Sequence, residues 1–247
     1  MKKNDEIAIT VKDLHVYYRD MNRFSLKKVG VKGKGSGKIF KAVKGVSFEV
    51  PKGQILGICG RNGSGKSTLL RAISGIFSAD SGSINLHGNS ISLLSIGVGF
   101  QKKLTGYENI FLSGLLLGYT KEQVEEKIND IIEFSELGDF IYKPVSSYSS
   151  GMYSKLAFSI TAILETDIML IDEVLSVGDI HFREKSYNKM KELINDSDRT
   201  VVIVSHSTKT IVELCDKVIW LHDGLIKDEG EPAEIMAKYE EFMRSLN

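Results

Sequence analysis

Gly60, Arg61, Asn62, Gly63, Ser64, Gly65, Lys66, Ser67 and Thr68 form an unbroken run that fits the phosphate-loop spacing G-x-x-x-x-G-K-[ST]. The glycines leave room for backbone N–H groups to converge on phosphate oxygens, which side chains would block. In this pattern Lys66 reaches the β- and γ-phosphates of a nucleotide and the Ser67 hydroxyl binds Mg²⁺. A second chemical element lies about a hundred residues on: Ile168 to Ile171 are apolar and end in Asp172 and Glu173. A carboxylate leaving a buried strand beside the phosphate loop can enter the Mg²⁺ shell, the role expected of Asp172. Glu173, one residue further, points elsewhere and is placed to take a proton from attacking water. A third element, Tyr148-Ser149-Ser150-Gly151-Met152, puts hydroxyls and a glycine at the head of a helix running through Ser159, a start suited to an anion.

Each of these needs a scaffold. Gln54 to Cys59 read as a buried strand feeding the loop, and Leu69 to Ile73 as the helix leaving it, with its positive dipole end toward the anion. Ile7 to Tyr18 and Ala42 to Val50 read as strands, with a turn at Pro51-Lys52-Gly53 and a short strand at Ser83 to Leu86. Thr120 and Gln123 form a capping box for a helix with Val124, Ile128, Ile131 and Ile132 on one face, and Leu112 to Leu117 read as another helix face. Ile168 to Ile171 and Val201 to Val204, with a helix between, make a βαβ unit. Lys217 to Leu221 and Ile226-Lys227 flank the turn His222-Asp223-Gly224, and Ala233 to Leu246 is a closing amphipathic helix. Between Arg19 and Lys38 seven Lys or Arg face one acid, Asp20, among four glycines, which reads as an exposed basic loop.

The 247 residues, 42% apolar, are enough for a core without disulfides. Cys59, in a strand, and Cys215, in a helical-looking segment, lie far from each other and from any His cluster, which argues against a metal site and for a reducing compartment. Zero formal net charge gives no support to nucleic-acid binding. No apolar stretch approaches ~18 residues, so a membrane role is expected to come through a partner.

These runs resemble the nucleotide-binding subunits of ABC transporters over nearly the whole chain. The resemblance implies an α/β phosphate-loop ATPase core with an antiparallel β subdomain and a helical subdomain. One domain would fill residues 1–247, with the basic insertion at about 19–38 and the helical subdomain and signature at about 104–160. A C-terminal extension would run from about 225 to 247, with no carbohydrate-binding domain. Gly60–Thr68 matches the Walker A motif and Ile168–Glu173 Walker B with its catalytic glutamate. Ser149, Ser150, Gly151 and Met152 match the signature, and Ser176 to Asp179 the D-loop. Gln101 matches the Q-loop, and His206, after Val201 to Ser205, the switch histidine. Lys66, Gln101, Glu173 and His206 would then serve catalysis, and Ser67, Gln101 and Asp172 the metal. Tyr18 falls where the family stacks an aromatic on adenine; Phe40 competes for that face, with Tyr18 favoured. Tyr148 and Met152 replace the usual signature Leu and Gln, and Val177-Gly178 the usual D-loop Ala-Leu.

The segments around Phe100 to Ile110, Tyr148 to Met152 and Glu173 to Asp179 are similar to the branch that exports O-antigen, teichoic acid and capsule. The implied assembly is a homodimer binding ATP and Mg²⁺ with each signature capping the partner's nucleotide. Two copies of a membrane-spanning permease would hold it at the cytoplasmic face of a bacterial inner membrane, a lipid-linked polysaccharide would be handled indirectly, and nucleic acid is not a partner. Other ABC transporters, including small-solute importers, and soluble ABC ATPases are the alternatives.

Overall fold

The structure, a computed structural model, describes residues 6–19, 39–94, 99–172, 178–194 and 199–246. Glu173 and the D-loop residues before Gly178 lie outside the described residues, as does the basic insertion beyond Arg19.

Two sheets share one core. β1 (Ile7–Arg19), β2 (Ile39–Pro51) and β4 (Ser81–Asn85) form an antiparallel sheet in the order β2-β1-β4. The alternation of buried residues along β1 slips by one: Ile9 and Val11 point inward, then Leu14 and Val16. An irregularity between Val11 and Leu14 absorbs the slip, with Asp13 in the left-handed region at φ 45° and its N–H donating to Ser47 Oγ. Without that bulge the second half of β1 would turn its apolar side to water.

The larger sheet has the order β5-β6-β7-β3-β8-β9. Its strands are β3 (Ile55–Cys59), β5 (Ile91–Leu94), β6 (Ile168–Asp172), β7 (Thr200–Val204), β8 (Lys217–His222) and β9 (Leu225–Gly230). All ladders are parallel except β8–β9. β7 is buried at every position and β6 at all but Asp172, as continuous Val/Ile/Leu runs covered on both faces require. β8 and β9 join through Asp223 and Gly224, both at positive φ, the conformation a two-residue hairpin turn demands.

Helices cover the sheets in three places. α1 (Lys66–Ile73) buries Leu69 and Leu70 between the two sheets beside Leu56 and Ile58. α2 (Gly106–Leu116), α3 (Lys121–Ser135) and α4 (Ser150–Ile163) build a separate cluster around Ile110, Val124, Ile131, Leu156 and Ile160. The far end of α4 enters the sheet core, where Phe158 packs against Phe134 and against Phe182 of α5 (Ile180–Ile194). α6 (Thr208–Leu214) and α7 (Pro232–Arg244) close the β8 side around Trp220 and Tyr239. The capping box at Thr120 and Gln123 forms as the sequence predicts, and a second one, Thr105 with Glu108, starts α2.

Three expectations change. β2 begins at Ile39, three residues before Ala42, because pairing with the end of β1 extends it. β5, a four-residue strand, has no counterpart in the sequence reading; Ile-Ser-Leu-Leu is too short for a periodic signal and is recruited by the edge of β6. Cys215 is not helical: α6 ends at Leu214 and Cys215 is its extended cap residue.

Candidate functional site

The loop between β3 and α1 is shaped by backbone that only glycine adopts cheaply. Gly65 caps α1 at φ 103°, and a Cβ there would collide with the Ala42 carbonyl oxygen. Gly60, at φ 145°, faces the Leu221 carbonyl oxygen just as closely. Lys66 is 6% exposed and folds back over this loop, its Nζ donating to the Gly60 and Arg61 carbonyl oxygens at 2.8 and 2.9 Å. The Ser64 hydroxyl is buried with no hydrogen-bond partner among the described residues. A buried hydroxyl without a partner, an ammonium group and the N-terminal end of α1 together suit a polyphosphate.

β6 delivers the second element. It lies two strands from β3 with β7 between them, and Asp172 emerges at its C-terminal end. There the Ser67 hydroxyl donates to Asp172 Oδ1 at 3.1 Å, although the two are far apart in sequence. Two hard oxygen donors beside a phosphate site fit the chemistry of Mg²⁺. A cavity of about 170 Å³ opens over the loop, lined by Phe40, Asn62, Lys66, Ser67, Thr68 and His206 among others. His206, which follows β7, thus joins the phosphate loop.

Tyr18 and Phe40 are paired across β1 and β2 and stack with ring centroids 6.5 Å apart. Phe40 lines the cavity and Tyr18 does not; the Tyr18 hydroxyl lies 3.0 Å from Thr68 Oγ1 and its ring is edge-on to Phe77. Gln101 lines neither this cavity nor the one described next. Its backbone is held by Asn109, fully buried, which accepts from Gln101 N at 2.7 Å and donates to Gln101 O at 3.1 Å. The sequence reading missed Asn109; an Asn on the inner side of an apolar helix was the available signal.

The third element lies elsewhere. Ser149 caps α4, its hydroxyl accepting from Met152 N, and Ser150 opens the helix in solvent. Ser149, Gly151 and Met152 line a cavity of about 320 Å³ with Glu136, Lys155 and Asp179, and among the described residues it shares no lining residue with the phosphate cavity. Asp179 receives the Lys155 ammonium at 2.8 Å, a hydrogen bond that pulls its carboxyl down to about 2; the Phe182 N–H on its other oxygen adds to this. Burial opposes the charge on Lys155, but its hydrogen bonds to Asp179 and Glu136 prevail and raise its pKa. Lys185 holds the Glu136 carboxyl below its usual range. Neither Lys155, Glu136 nor Lys185 was assigned a role from sequence; charged residues at helix ends carry no distinguishing pattern.

Burial pushes both thiols, Cys59 and Cys215, up to about 12, which disfavours the nucleophilic thiolate. Among the described residues no group of three His, Cys, Asp or Glu could hold a metal, and no helix is long and apolar enough to cross a membrane.

The ABC transporter family profile matches residues 43–176, more than half of the chain. An O-antigen export system ATP-binding protein, RfbB, of Myxococcus xanthus is 43% identical over 203 residues, 82% of this chain and 46% of that protein. A teichoic acids export ATP-binding protein, TagH, of Lactococcus lactis is 46% identical over 207 residues, 84% of this chain and 44% of that protein. The chain therefore spans less than half the length of these two relatives. It covers 84% of an RfbB of Klebsiella pneumoniae at 41% identity. Among solved structures, the dimeric, ADP- and Pi-bound post-hydrolysis form of the ATP-binding cassette MJ0796 has the same fold, with a TM-score of 0.68 at 21% identity over 91% of this chain and 98% of that one. With the family profile over most of its length and close relatives over more than four fifths of it, the chain belongs to the ABC transporter family of ATP-binding proteins.

Proposed function

We propose that this chain hydrolyses ATP as one of two facing copies and so drives export of a lipid-linked polysaccharide of the O-antigen or teichoic acid type. The hydrogen bond between Ser67 and Asp172 carries the hydrolytic reading, because it joins the phosphate loop to the acid strand at one point. The export reading rests on the O-antigen and teichoic acid names of the relatives.

In this reading the N–H groups between Gly60 and Thr68 cradle the phosphates. Lys66 exchanges the Gly60 and Arg61 carbonyl oxygens for β- and γ-phosphate oxygens. Ser67 and Asp172, with Gln101, would hold Mg²⁺, which when bound offsets charge on the transferring phosphoryl group. Glu173 takes the proton of the attacking water and His206, which lines the cavity, contacts the γ-phosphate. Phe40 offers its face to the adenine, and Tyr18 backs that ring and ties it to Thr68. The signature residues Ser149, Gly151 and Met152 line another cavity with Asp179, which supports their serving a second copy's nucleotide. Two-fold pairing then completes two sites, and ATP favours the closed pair because only that pair makes both sets of contacts. A permease, in two copies, anchors the pair at the cytoplasmic face of the membrane and converts closure into movement of the glycan.

The test is Glu173→Gln. ATP binding should persist and a dimer should accumulate with ATP and Mg²⁺, while phosphate release slows by about 10²-fold or more. Turnover near that of the unaltered chain would remove Glu173 from its role. Co-purification with a membrane protein tests the export reading.

A further inference from the structure

Four charged side chains tie together three helix ends beside the signature. Lys155, in the second turn of α4, is 12% exposed and donates to Asp179 Oδ2 at 2.8 Å and to Glu136 Oε2 at 3.4 Å. Asp179 uses its other oxygen to cap α5, accepting from Phe182 N at 3.0 Å. Glu136 ends α3 in the left-handed region at φ 56°, and its second oxygen accepts from Lys185 of α5 at 2.9 Å. Lys185 also donates to the Phe134 carbonyl at 3.1 Å. The stem of Lys155 lies against Gly178, where a Cβ would sit 2.9 Å from Lys155 Cε, and its ammonium lies 4.8 Å over the Phe182 ring. Gly178 and Asp179 close the D-loop and are the first described residues after Asp172, while Ser149 and Gly151 begin the same helix as Lys155.

We propose that Lys155 is a positioning residue: through Asp179 and Glu136 it locks the signature turn to the start of α5, so that the two segments a second copy meets are presented as one rigid face. The inference rests on the facing-copy reading and adds a residue to it. Asp179 is 61% exposed, and an ion pair with one partner so far in solvent adds little to folding stability, so this one is not needed to hold the chain together. Its effect lies in alignment, since small misplacements of groups around a reacting phosphate cost rate steeply. Lys155 touches no part of its own chain's phosphate cavity, so its loss should spare nucleotide binding to a single copy.

The experiment compares Lys155→Met, Lys155→Arg and Asp179→Asn in the full chain. Affinity for a fluorescent ATP analogue is read at a concentration too low for pairing, together with kcat, ATP-driven dimerisation and melting temperature. Lys155→Met should leave single-copy affinity within about twofold, lower kcat about tenfold or more, and weaken dimerisation. Lys155→Arg, which can still reach both carboxylates, should recover most of the rate. Asp179→Asn, which can still cap α5, should lower kcat similarly, and combining it with Lys155→Met should add little, because the two report one interaction. A kcat for Lys155→Met within twofold of the unaltered chain overturns the inference. So does a rate loss that follows melting temperature and is not recovered by Arg. If the unaltered chain never pairs with ATP, the facing-copy reading falls and this inference with it; pairing with normal turnover in Lys155→Met removes the inference alone.

Discussion

The phosphate side and the signature side of this molecule are built by different means. Around Lys66 the geometry is written in backbone: glycines at 60 and 65 in conformations other residues avoid, a strand before and a helix after, and carbonyl oxygens holding the lysine. Around Ser149 it is written in side chains: a serine cap, and a chain of ion pairs from Asp179 through Lys155 and Glu136 to Lys185 joining three helices. The first arrangement is local in sequence and rigid because the loop has few alternatives. The second spans nearly fifty residues from Glu136 to Lys185 and depends on how α3, α4 and α5 pack. A site made of backbone should fail through strain and lose its own ligand. A site made of paired charges on helix ends should keep its fold and lose its fit to a partner.

The contrast is broken most severely at Gly65. Gly65→Ala places a Cβ into the Ala42 carbonyl at φ 103°, a strain on the order of 1–3 kcal/mol. Calorimetric titration with ATP should find binding reduced at least tenfold, with a lowered melting temperature. Binding within twofold would mean the loop is not held by its glycines.

On the other side, Ser150→Arg changes an exposed position at the start of α4. Binding of ATP to one copy should stay within about twofold, since among the described residues the signature cavity shares no lining residue with the phosphate cavity. Dimerisation with ATP, read by size-exclusion chromatography, should be lost through bulk and misplaced charge. Loss of single-copy binding would put the signature on its own nucleotide and erase the distinction between the two sides.

The smallest effect is a pH dependence confined to the signature side. Asp179 is held down from 3.8 to about 2 by Lys155, so its folded pKa lies below its unfolded one. A depressed carboxylate contributes stability that is fully present above about pH 4 and is lost as pH falls through 3.8 toward 2. Asp179→Asn should therefore flatten part of the fall in melting temperature below pH 4, while leaving the curve at neutral pH nearly parallel to that of the unaltered chain. An unchanged acid limb would show that the Lys155 pair contributes nothing in solution.

Much of this could be read before any fold was known. The nine residues from Gly60 to Thr68 carry their chemistry in covalent order, so spacing alone identified the loop, its strand and its helix. The Asp172 strand was legible for the same reason: a run buried on both faces needs no partner to be recognised. The capping box at Thr120 was legible because it is a local exchange of hydrogen bonds within four residues. β5 was not, since four residues become a strand only when an edge recruits them.

What the sequence determined, then, are the groups whose partners lie within one turn or one strand: the phosphate loop, the acid that ends β6, the helix caps and the apolar faces. What tertiary structure alone decided are relations between distant segments. It placed Ser67 against Asp172, which no spacing could state. It set the register that stacks Tyr18 on Phe40 and makes Phe40 a lining residue of the cavity. It separated the signature from the phosphate loop and made Lys155, Glu136 and Lys185 one network. The physical reason is the same in each case. Hydrogen bonds and ion pairs act over about 3 Å, so their meaning for residues fifty or a hundred positions apart exists only once the core has brought those residues together.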